Sequence, residues 1–163
     1  MESEELEDLR EIIKKKISAY IGVPIDPKSF TQIEKSFKGN SLIVDNFPIS
    51  EINSLQIGNF NLTDEDYVLD KDSGLIYFKN NYSGFLVLEY TCCLSETQID
   101  MYIDPLVDDM VEYELDTGWT KNASSIKEGD IQINIDTSIG KGALIQKSLD
   151  DLKYIFNSYA RMI

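Results

Sequence analysis

The stretch from Phe47 to Tyr90 constrains the fold of this chain more than any other part of it. Its apolar residues form short alternating runs, and Asn, Asp and Gly residues separate those runs. Alternation with a period of two is typical of strands that bury one face, and the separating residues favour turns. The pattern predicts a small antiparallel meander of four short strands, whose apolar positions are Ile52, Leu55 and Ile57, then Tyr67 and Leu69, then Leu75 to Phe78, then Phe85 to Tyr90.

Helical periodicity is found on both sides of the predicted meander. Apolar residues at helical spacing predict a helix over residues 3–21, and Ser29 is suited to cap a second short helix over residues 29–38. Proline is tolerated in the first turn of a helix but not in its interior. Pro105 therefore predicts a third helix over residues 104–117, with Asp104 as its cap and a preceding turn from Glu96.

The last part of the chain combines an extended segment with a helix. Residues 122–138 contain a polar break and then isoleucines that alternate with polar residues, which predicts a strand or a hairpin arm. After Gly142 the apolar residues repeat at spacings of four and three, which predicts an amphipathic C-terminal helix. Its apolar positions are Ile145, Leu149, Leu152, Phe156, Tyr159 and Ile163.

The order of these segments predicts an α+β fold: a small helical bundle with an inserted antiparallel β-meander and a C-terminal amphipathic helix. A chain of 163 residues with 42% hydrophobic residues suits a single domain with one core. Within it we expect residues 1–40 to be helical, 41–94 to form the meander, 95–121 an acidic helix, 122–138 an extended hairpin segment and 139–163 the C-terminal helix.

The sequence offers little of the chemistry that enzymes use. It has no histidine, the commonest general base and metal ligand. Cys92 and Cys93 are adjacent and would point to opposite faces of a strand, which favours neither a disulfide nor a metal site. The acids from Asp70 onward place leucine and asparagine where a calcium loop needs glycine and glutamate, so a hairpin turn explains them better. We therefore expect no catalytic residue, no metal and no cofactor.

Negative charge is concentrated in one segment. The net charge of −14 argues against a broad basic face that binds phosphates. Residues 95–121 hold eight acids and one base, and Asp104, Asp108, Glu112 and Asp116 follow one another at intervals of four. On a helix they would form one acidic column, in which each like-charged neighbour costs about a few tenths of a kcal/mol. The column is either a solvated face, or a face toward a basic partner or a water-filled channel that carries DNA.

The strand region also carries motifs of a known family. Pro48-Ile49 precedes the first strand, Asp66-Tyr67 opens the next, Asp70 to Gly74 followed by Ile76 leads into the third, and Glu89-Tyr90 ends the last. With the helices around it, this segment resembles the head–tail connector (adaptor) proteins of tailed phages and phage-like particles. The resemblance covers roughly half of the chain, and its motifs are turn and packing residues.

The resemblance implies a structural virion protein that forms a ring, commonly twelvefold, between portal and tail. DNA would pass through the lumen of the ring without specific binding. The implied partners are further copies of the chain, the portal protein and a downstream neck or tail-completion protein, with no membrane. Residues 1–16 carry acids where a signal peptide has a basic start and an apolar centre, so assembly in the host cytoplasm is expected. A closed ring needs two different contact surfaces on each subunit, and the meander edge and the C-terminal helix are candidates.

In this family the C-terminal portion typically docks onto the portal. The candidate docking residues here are Leu149, Leu152, Phe156 and Tyr159, with the last two as aromatic anchors. Residues 122–163 carry five acids and five bases, so they can approach an acidic neighbour without repulsion. The alternative is that this helix packs on the N-terminal helix of its own chain.

Two other functions are compatible with the sequence. The net charge also suits an acidic inhibitor that mimics DNA for a basic nucleic-acid-binding protein, although the acids concentrate in one helix. An enzyme that uses carboxylates alone, such as a glycosidase, would need one catalytic pair. No such pair stands out among the 29 acids.

Overall fold

A computed structural model describes residues 3–117 and 140–158 of the chain. The contacts divide the chain into two compact units, where the sequence predicted a single domain. Unit 1 comprises Met1–Ile25 and Glu96–Ile163, and unit 2 comprises Asp26–Ser95. Because the sheet of unit 2 is inserted between helices of unit 1, the predicted α+β class is confirmed.

Unit 1 is helical. Its helices are α1 (Ser3–Ile21), the short α2 (Glu96–Gln98), a π-helical segment (Ile99–Ile103), α3 (Asp104–Thr117) and α4 (Lys141–Ser158). Helices α1, α3 and α4 pack on one another through apolar stripes, as their periodicity predicts. The core consists mainly of Leu9, Ile13, Ile17 and Ile21 from α1, Leu106, Val107, Met110 and Val111 from α3, and Ile145, Leu149, Leu152 and Phe156 from α4.

The start of α3 differs from the prediction. Asp104 has helical dihedral angles, φ −59° and ψ −43°, and its N–H donates to the carbonyl oxygen of Ile99. A capping residue lies outside the helical region, so Asp104 does not cap α3. The helical chain instead runs on from α2, and a π-helical turn precedes Pro105, which lacks an N–H to donate.

Unit 2 is a five-stranded antiparallel sheet. Its strands are β1 (Lys28–Ile43), β2 (Ile49–Ile57), β3 (Phe60–Leu62), β4 (Tyr67–Asp70) and β5 (Leu75–Cys92). The central strand is β5, which pairs with β1 from Lys28 opposite Cys92 to Ile43 opposite Leu75. Strands β2 and β4 pair with the other side of β5, and β3 pairs with β2. The sheet is therefore more branched than the predicted meander.

The predicted helix over residues 29–38 is wrong, because these residues lie in β1. Phe30 and Gln32 turn inward, opposite Tyr90 and Leu88 of β5, whereas Ile33 is exposed. Ser29 supplied a local capping signal, but pairing with a strand about sixty residues later in the chain decides the structure. Long-range pairing of this kind overrides local preferences.

The two predicted strands at Leu75–Phe78 and Phe85–Tyr90 form one long strand, β5. The register of the β1–β5 pair shifts twice, and Gly39 (φ 149°) and Gly84 (φ 137°) lie in or beside the shifted regions. At Gly84 a Cβ atom would stand 3.2 Å from the Cα of Gly58. A side chain there would meet both an unfavourable φ and a close backbone.

Alternate residues of β5 form the core of unit 2, as a strand buried on one face requires. The side chain of Gln32 is also buried. Its Nε2 donates to the carbonyl oxygen of Ile43 at 3.1 Å, and its Oε1 accepts from the N–H of Asp45 at 2.9 Å. One buried amide therefore joins the beginning of β1 to the end of that strand. The buried residues of β5 are Ile76, Phe78, Leu86, Leu88, Tyr90 and Cys92.

Two sequence predictions fall outside the described residues. These are the extended segment at residues 122–138 and the final turn of the C-terminal helix, which includes Tyr159. Among the described helices, none has the length and apolar character to cross a membrane.

Candidate functional site

The acidic column of α3 makes ion pairs with α1. Arg10 Nη1 lies 2.6 Å from Asp108 Oδ1, and Lys14 Nζ lies 3.9 Å from Asp104 Oδ1. The hydrogen bond to Asp108 raises the pKa of Arg10 above its ordinary value. These bases compensate part of the like-charge repulsion within the column.

A third member of the column pairs with α4. Lys141 Nζ donates to Glu112 Oε2, across 29 positions of sequence. Asp116, the last member of the column, is exposed, as is Asp109, which follows Asp108 in the sequence. Neither makes an ion pair with a described residue. The column is thus a solvated face in part and a set of contacts between helices in part. The side chains of Asp108 and Glu112 still expose 63% and 66% of their surface.

A buried ion pair lies between α1 and α3. Lys16 Nζ is 3.8 Å from Glu114 Oε1, and the two side chains are 2% and 8% exposed. Desolvation lowers the pKa of Lys16 and raises that of Glu114, because burial disfavours both charged forms. Sequence analysis missed this pair, since Glu114 stands on the apolar side of α3. A charged residue within an apolar stripe is the signal that could have revealed it.

The structure corrects the docking prediction for three of the four residues proposed on the C-terminal helix. Leu149, Leu152 and Phe156 are buried in unit 1, where α4 packs on α1 and α3. A side chain enclosed by its own unit is not available to a second protein. The alternative of packing on the N-terminal helix therefore explains these residues, and Tyr159 lies outside the described part of the chain.

Polar contacts fix α4 against α1. Tyr20 donates its hydroxyl hydrogen to Asp150 Oδ1, and Gln146 Nε2 donates to the Tyr20 hydroxyl at 3.0 Å. The Lys153 ammonium lies 4.9 Å from the centre of the Tyr20 ring. The hydrogen bond to Asp150 is the main cause that raises the pKa of Tyr20.

The Asp-x-x-x-Gly motif forms the hairpin turn that the sequence predicts. Gly74 donates its N–H to the carbonyl oxygen of Asp70 at 3.0 Å and has a φ of 68°. A Cβ on Gly74 would stand 3.1 Å from the Cβ of Phe47, so glycine is required there by conformation and by space. The carbonyl oxygen of Gly74 in turn accepts from the N–H of Val44 at 2.7 Å. Through this hydrogen bond the Asp70–Gly74 turn is held to the segment between β1 and β2.

The Asp66-Tyr67 motif shapes the turn before β4. Asp66 Oδ2 accepts from the N–H of Thr63 at 2.8 Å, and the Tyr67 hydroxyl donates to Asp64 Oδ1 at 3.0 Å. Burial is the main cause that raises the pKa of Tyr67 to about 12. Both acids therefore serve local turn geometry, which agrees with the interpretation of the motif as turn chemistry.

The other motifs contribute to the core. Ile49 and Tyr90 are buried, and the Tyr90 ring stacks on Phe30 with 5.7 Å between ring centres. Cys92 is buried and donates to the carbonyl oxygen of Asn46, and burial raises the pKa of its thiol to about 12. Both cysteines are free thiols.

The described residues contain no group of three or more Cys, Asp or Glu side chains placed to hold a metal ion. Two open depressions of about 350 and 360 Å³ lie beside β2 in unit 2. The first is lined mainly by amide, hydroxyl and aliphatic groups. The lining of the second includes the charged residues Glu51, Asp64 and Lys71.

Comparison with models of known protein families and with curated proteins gives no match. Two of the solved structures that align with this chain have TM-scores just below 0.5. One is the neck of an empty gene transfer agent (GTA) particle computed with C6 symmetry, with a TM-score of 0.49 and 12% identity over 91% of this chain and 79% of that chain. The other is the neck of a native GTA particle computed with C12 symmetry, with a TM-score of 0.48 and 11% identity over 88% of this chain and 80% of that chain.

Proposed function

We propose that this chain is a head–tail connector, a structural protein that forms a ring between the portal and the tail of a virus or phage-like particle. The observation that supports it best is the combination of architecture and motifs. A helical unit is interrupted after its first helix by an antiparallel sheet, and the connector-like motifs lie at the turns and core positions of that sheet. The motif residues shape turns and fill the core, and these roles suit a structural protein that assembles better than an enzyme that converts a substrate.

The acidic face of α3 has a role in this proposal. Asp108 and Glu112 remain more than half exposed although each is ion-paired, and Asp109 and Asp116 are exposed beside them. We place this face toward the lumen. A negative wall repels phosphates, so that DNA moves past it without adhering.

The ion pairs of α3 weigh against an inhibitor that mimics DNA. Such a protein presents carboxylates to the bases of its target. Here Arg10, Lys14 and Lys141 already contact members of the acidic column within unit 1. The connector function therefore remains the better supported of the two.

Co-expression with the portal protein encoded by the same genome tests the proposed function. Electron microscopy of the purified complex is expected to show a closed ring of this chain on the portal, with an open lumen. The gene is also expected to lie downstream of portal and capsid genes and upstream of tail genes. A chain that stays monomeric and does not associate with the portal would contradict the proposal.

The role of the acidic face is tested by Asp109→Lys combined with Asp116→Lys. Because neither acid pairs with a described residue, the folded unit and the ring should persist, while DNA transit through the ring should slow. Glu51→Lys with Asp151→Lys makes the same charge change at exposed positions outside α3 and serves as the control. Equal DNA transit in the two double variants would show that this face does not border the lumen.

A further inference from the structure

Three strands of the sheet pair on one side only. Strands β1 and β4 pair only with β5, and β3 pairs only with β2. Strands β1 and β3 lie at the two ends of the order β1-β5-β2-β3 and form its outer edges. Within residues 26–95, no backbone hydrogen bond joins either outer edge to a further strand. An open edge presents unpaired N–H and C=O groups, which can pair with a strand from another chain.

The two halves of β1 differ in how well their edge is protected. Register shifts fall between Glu34 and Phe37 and between Gly39 and Ser41, in the second half of the strand. Such irregularities are a common means of preventing edge-to-edge pairing. From Lys28 to Glu34 the register is unbroken. The first half of β1 is therefore the part that can accept another strand.

The opposite edge carries an exposed aromatic residue. Phe60, the first residue of β3, is 60% exposed, and its ring meets Tyr82 edge-on with 5.7 Å between ring centres. It stands opposite Ile57, which is fully buried, so Phe60 lies on the inner face of the sheet. At the β1 edge the half-buried Phe30 lies on the same face. A strand added at either edge would extend this layer and cover an aromatic ring.

The charges of the two edges are opposite. The unbroken edge and the residue that follows it, residues 28–35, hold Lys28 and Lys35 against Glu34, a net charge of +1 on a chain of −14. The turn that follows β3 holds three consecutive acids, residues 64–66, and no base. Two copies that met through the same edge would repel each other, whereas unlike edges attract. This favours a head-to-tail contact over a two-fold one.

We propose that neighbouring copies of this chain join edge to edge. In this contact β3 of one copy, with its acidic turn, adds to the Lys28–Glu34 edge of β1 in the next copy. Because the two surfaces differ, the contact is heterologous and can repeat until a ring closes. The inference rests on the proposed ring function and identifies the interface between its subunits.

Disulfide trapping tests this interface. Thr31→Cys and Asn61→Cys each place one exposed thiol in the middle of an edge. Cys93→Ser removes the half-buried native thiol from both chains, which leaves only the buried Cys92 besides the introduced cysteine. Mixing the two variants under mild oxidation is expected to give disulfide-linked dimers of one chain of each kind. Each variant alone should give few dimers.

Two outcomes of the trapping experiment would overturn the proposal. Dimers of the Thr31→Cys variant alone, at the level of the mixture, would indicate two-fold pairing of β1 with β1. A yield in the mixture no higher than with Ser148→Cys as partner would indicate that β3 does not meet β1. Ser148 is the control because it is exposed on α4 of unit 1, outside the sheet.

Charge reversal gives an independent measurement. Lys28 and Lys35 flank the two ends of the unbroken edge, so the acidic turn meets one of them in either strand direction. Lys28→Glu with Lys35→Glu, or Glu65→Lys alone, should weaken self-association about tenfold in sedimentation experiments, and the three changes together should restore it. Lys15→Glu with Lys147→Glu, at exposed positions of unit 1, should have little effect. Failure of the combined variant to recover association would contradict the edge-to-edge contact.

The experiments separate this inference from the proposed function. Rings on the portal without the expected trapped dimers would leave the connector function standing and refute the interface. Absence of both rings and trapped dimers would refute the function itself.

Discussion

Replacing Leu149 with alanine tests whether α4 belongs to the core of unit 1. Leu149 is 0% exposed in the packing of α4 against α1 and α3. The change removes the transfer free energy of the lost methyl groups and leaves a cavity, which together lower the free energy of unfolding by about 3 kcal/mol at such a site. For a chain of this size each kcal/mol lowers Tm by about 2–4 °C, so a decrease of about 9 °C is expected.

Urea titration followed by far-UV circular dichroism measures this change. Leu144→Ala is the matched control, because Leu144 lies on the same helix and is 66% exposed. The control should change the free energy of unfolding by no more than about 0.5 kcal/mol. A loss below about 1 kcal/mol for Leu149→Ala, or equal losses in both variants, would show that α4 is not packed as described.

Three further predictions concern the buried polar groups. Glu114→Ala should lower the free energy of unfolding by about 3 kcal/mol because it leaves Lys16 charged in the core, whereas Lys16→Met with Glu114→Leu should recover most of that loss in the same urea titration. Gln32→Leu should cost about 2 kcal/mol, since a backbone N–H and a carbonyl oxygen lose their partner; thermal denaturation unchanged from wild type would contradict this. The pKa of Tyr67 is raised to about 12 in the folded protein, against about 10 in the unfolded chain. Its contribution to the free energy of unfolding is therefore complete below pH 10 and is lost as the pH rises toward 12. Tyr67→Phe should therefore reduce the decrease in the free energy of unfolding between pH 10 and 12. An unchanged pH profile would show that ionisation of Tyr67 does not cause this decrease.

The sequence predicts the helical unit well because its signals are local. Apolar residues at helical spacing mark α1 and α3, and Gly22, with a φ of 75°, ends α1 where expected. Turn residues likewise mark the Asp70–Gly74 hairpin. In each case the signal comes from residues that are close together in the sequence, and tertiary packing favours the same local structure.

The sheet was harder to predict because its strands depend on partners far away in the sequence. Residues 29–38 carry a helix-start signal and become part of β1 only through pairing with β5. Periodicity identified the apolar stripe of α4 but could not say whether Leu149 and Phe156 meet their own chain or another. Likewise, spacing identified the acidic column of α3, whereas its partner Arg10 lies 98 positions away from Asp108.

The pairing of Lys28 with Cys92 brings the two ends of unit 2 side by side. Directly opposed residues of antiparallel strands have Cα atoms about 5 Å apart, a gap that one or two residues can span. The seventy residues of unit 2 are therefore an insertion in unit 1 that begins and ends at nearly the same place. Such an arrangement lets the sheet be lengthened, exchanged or lost in evolution while the helical unit keeps its connectivity. A lineage of these proteins could diversify what the sheet contacts without redesigning the helices.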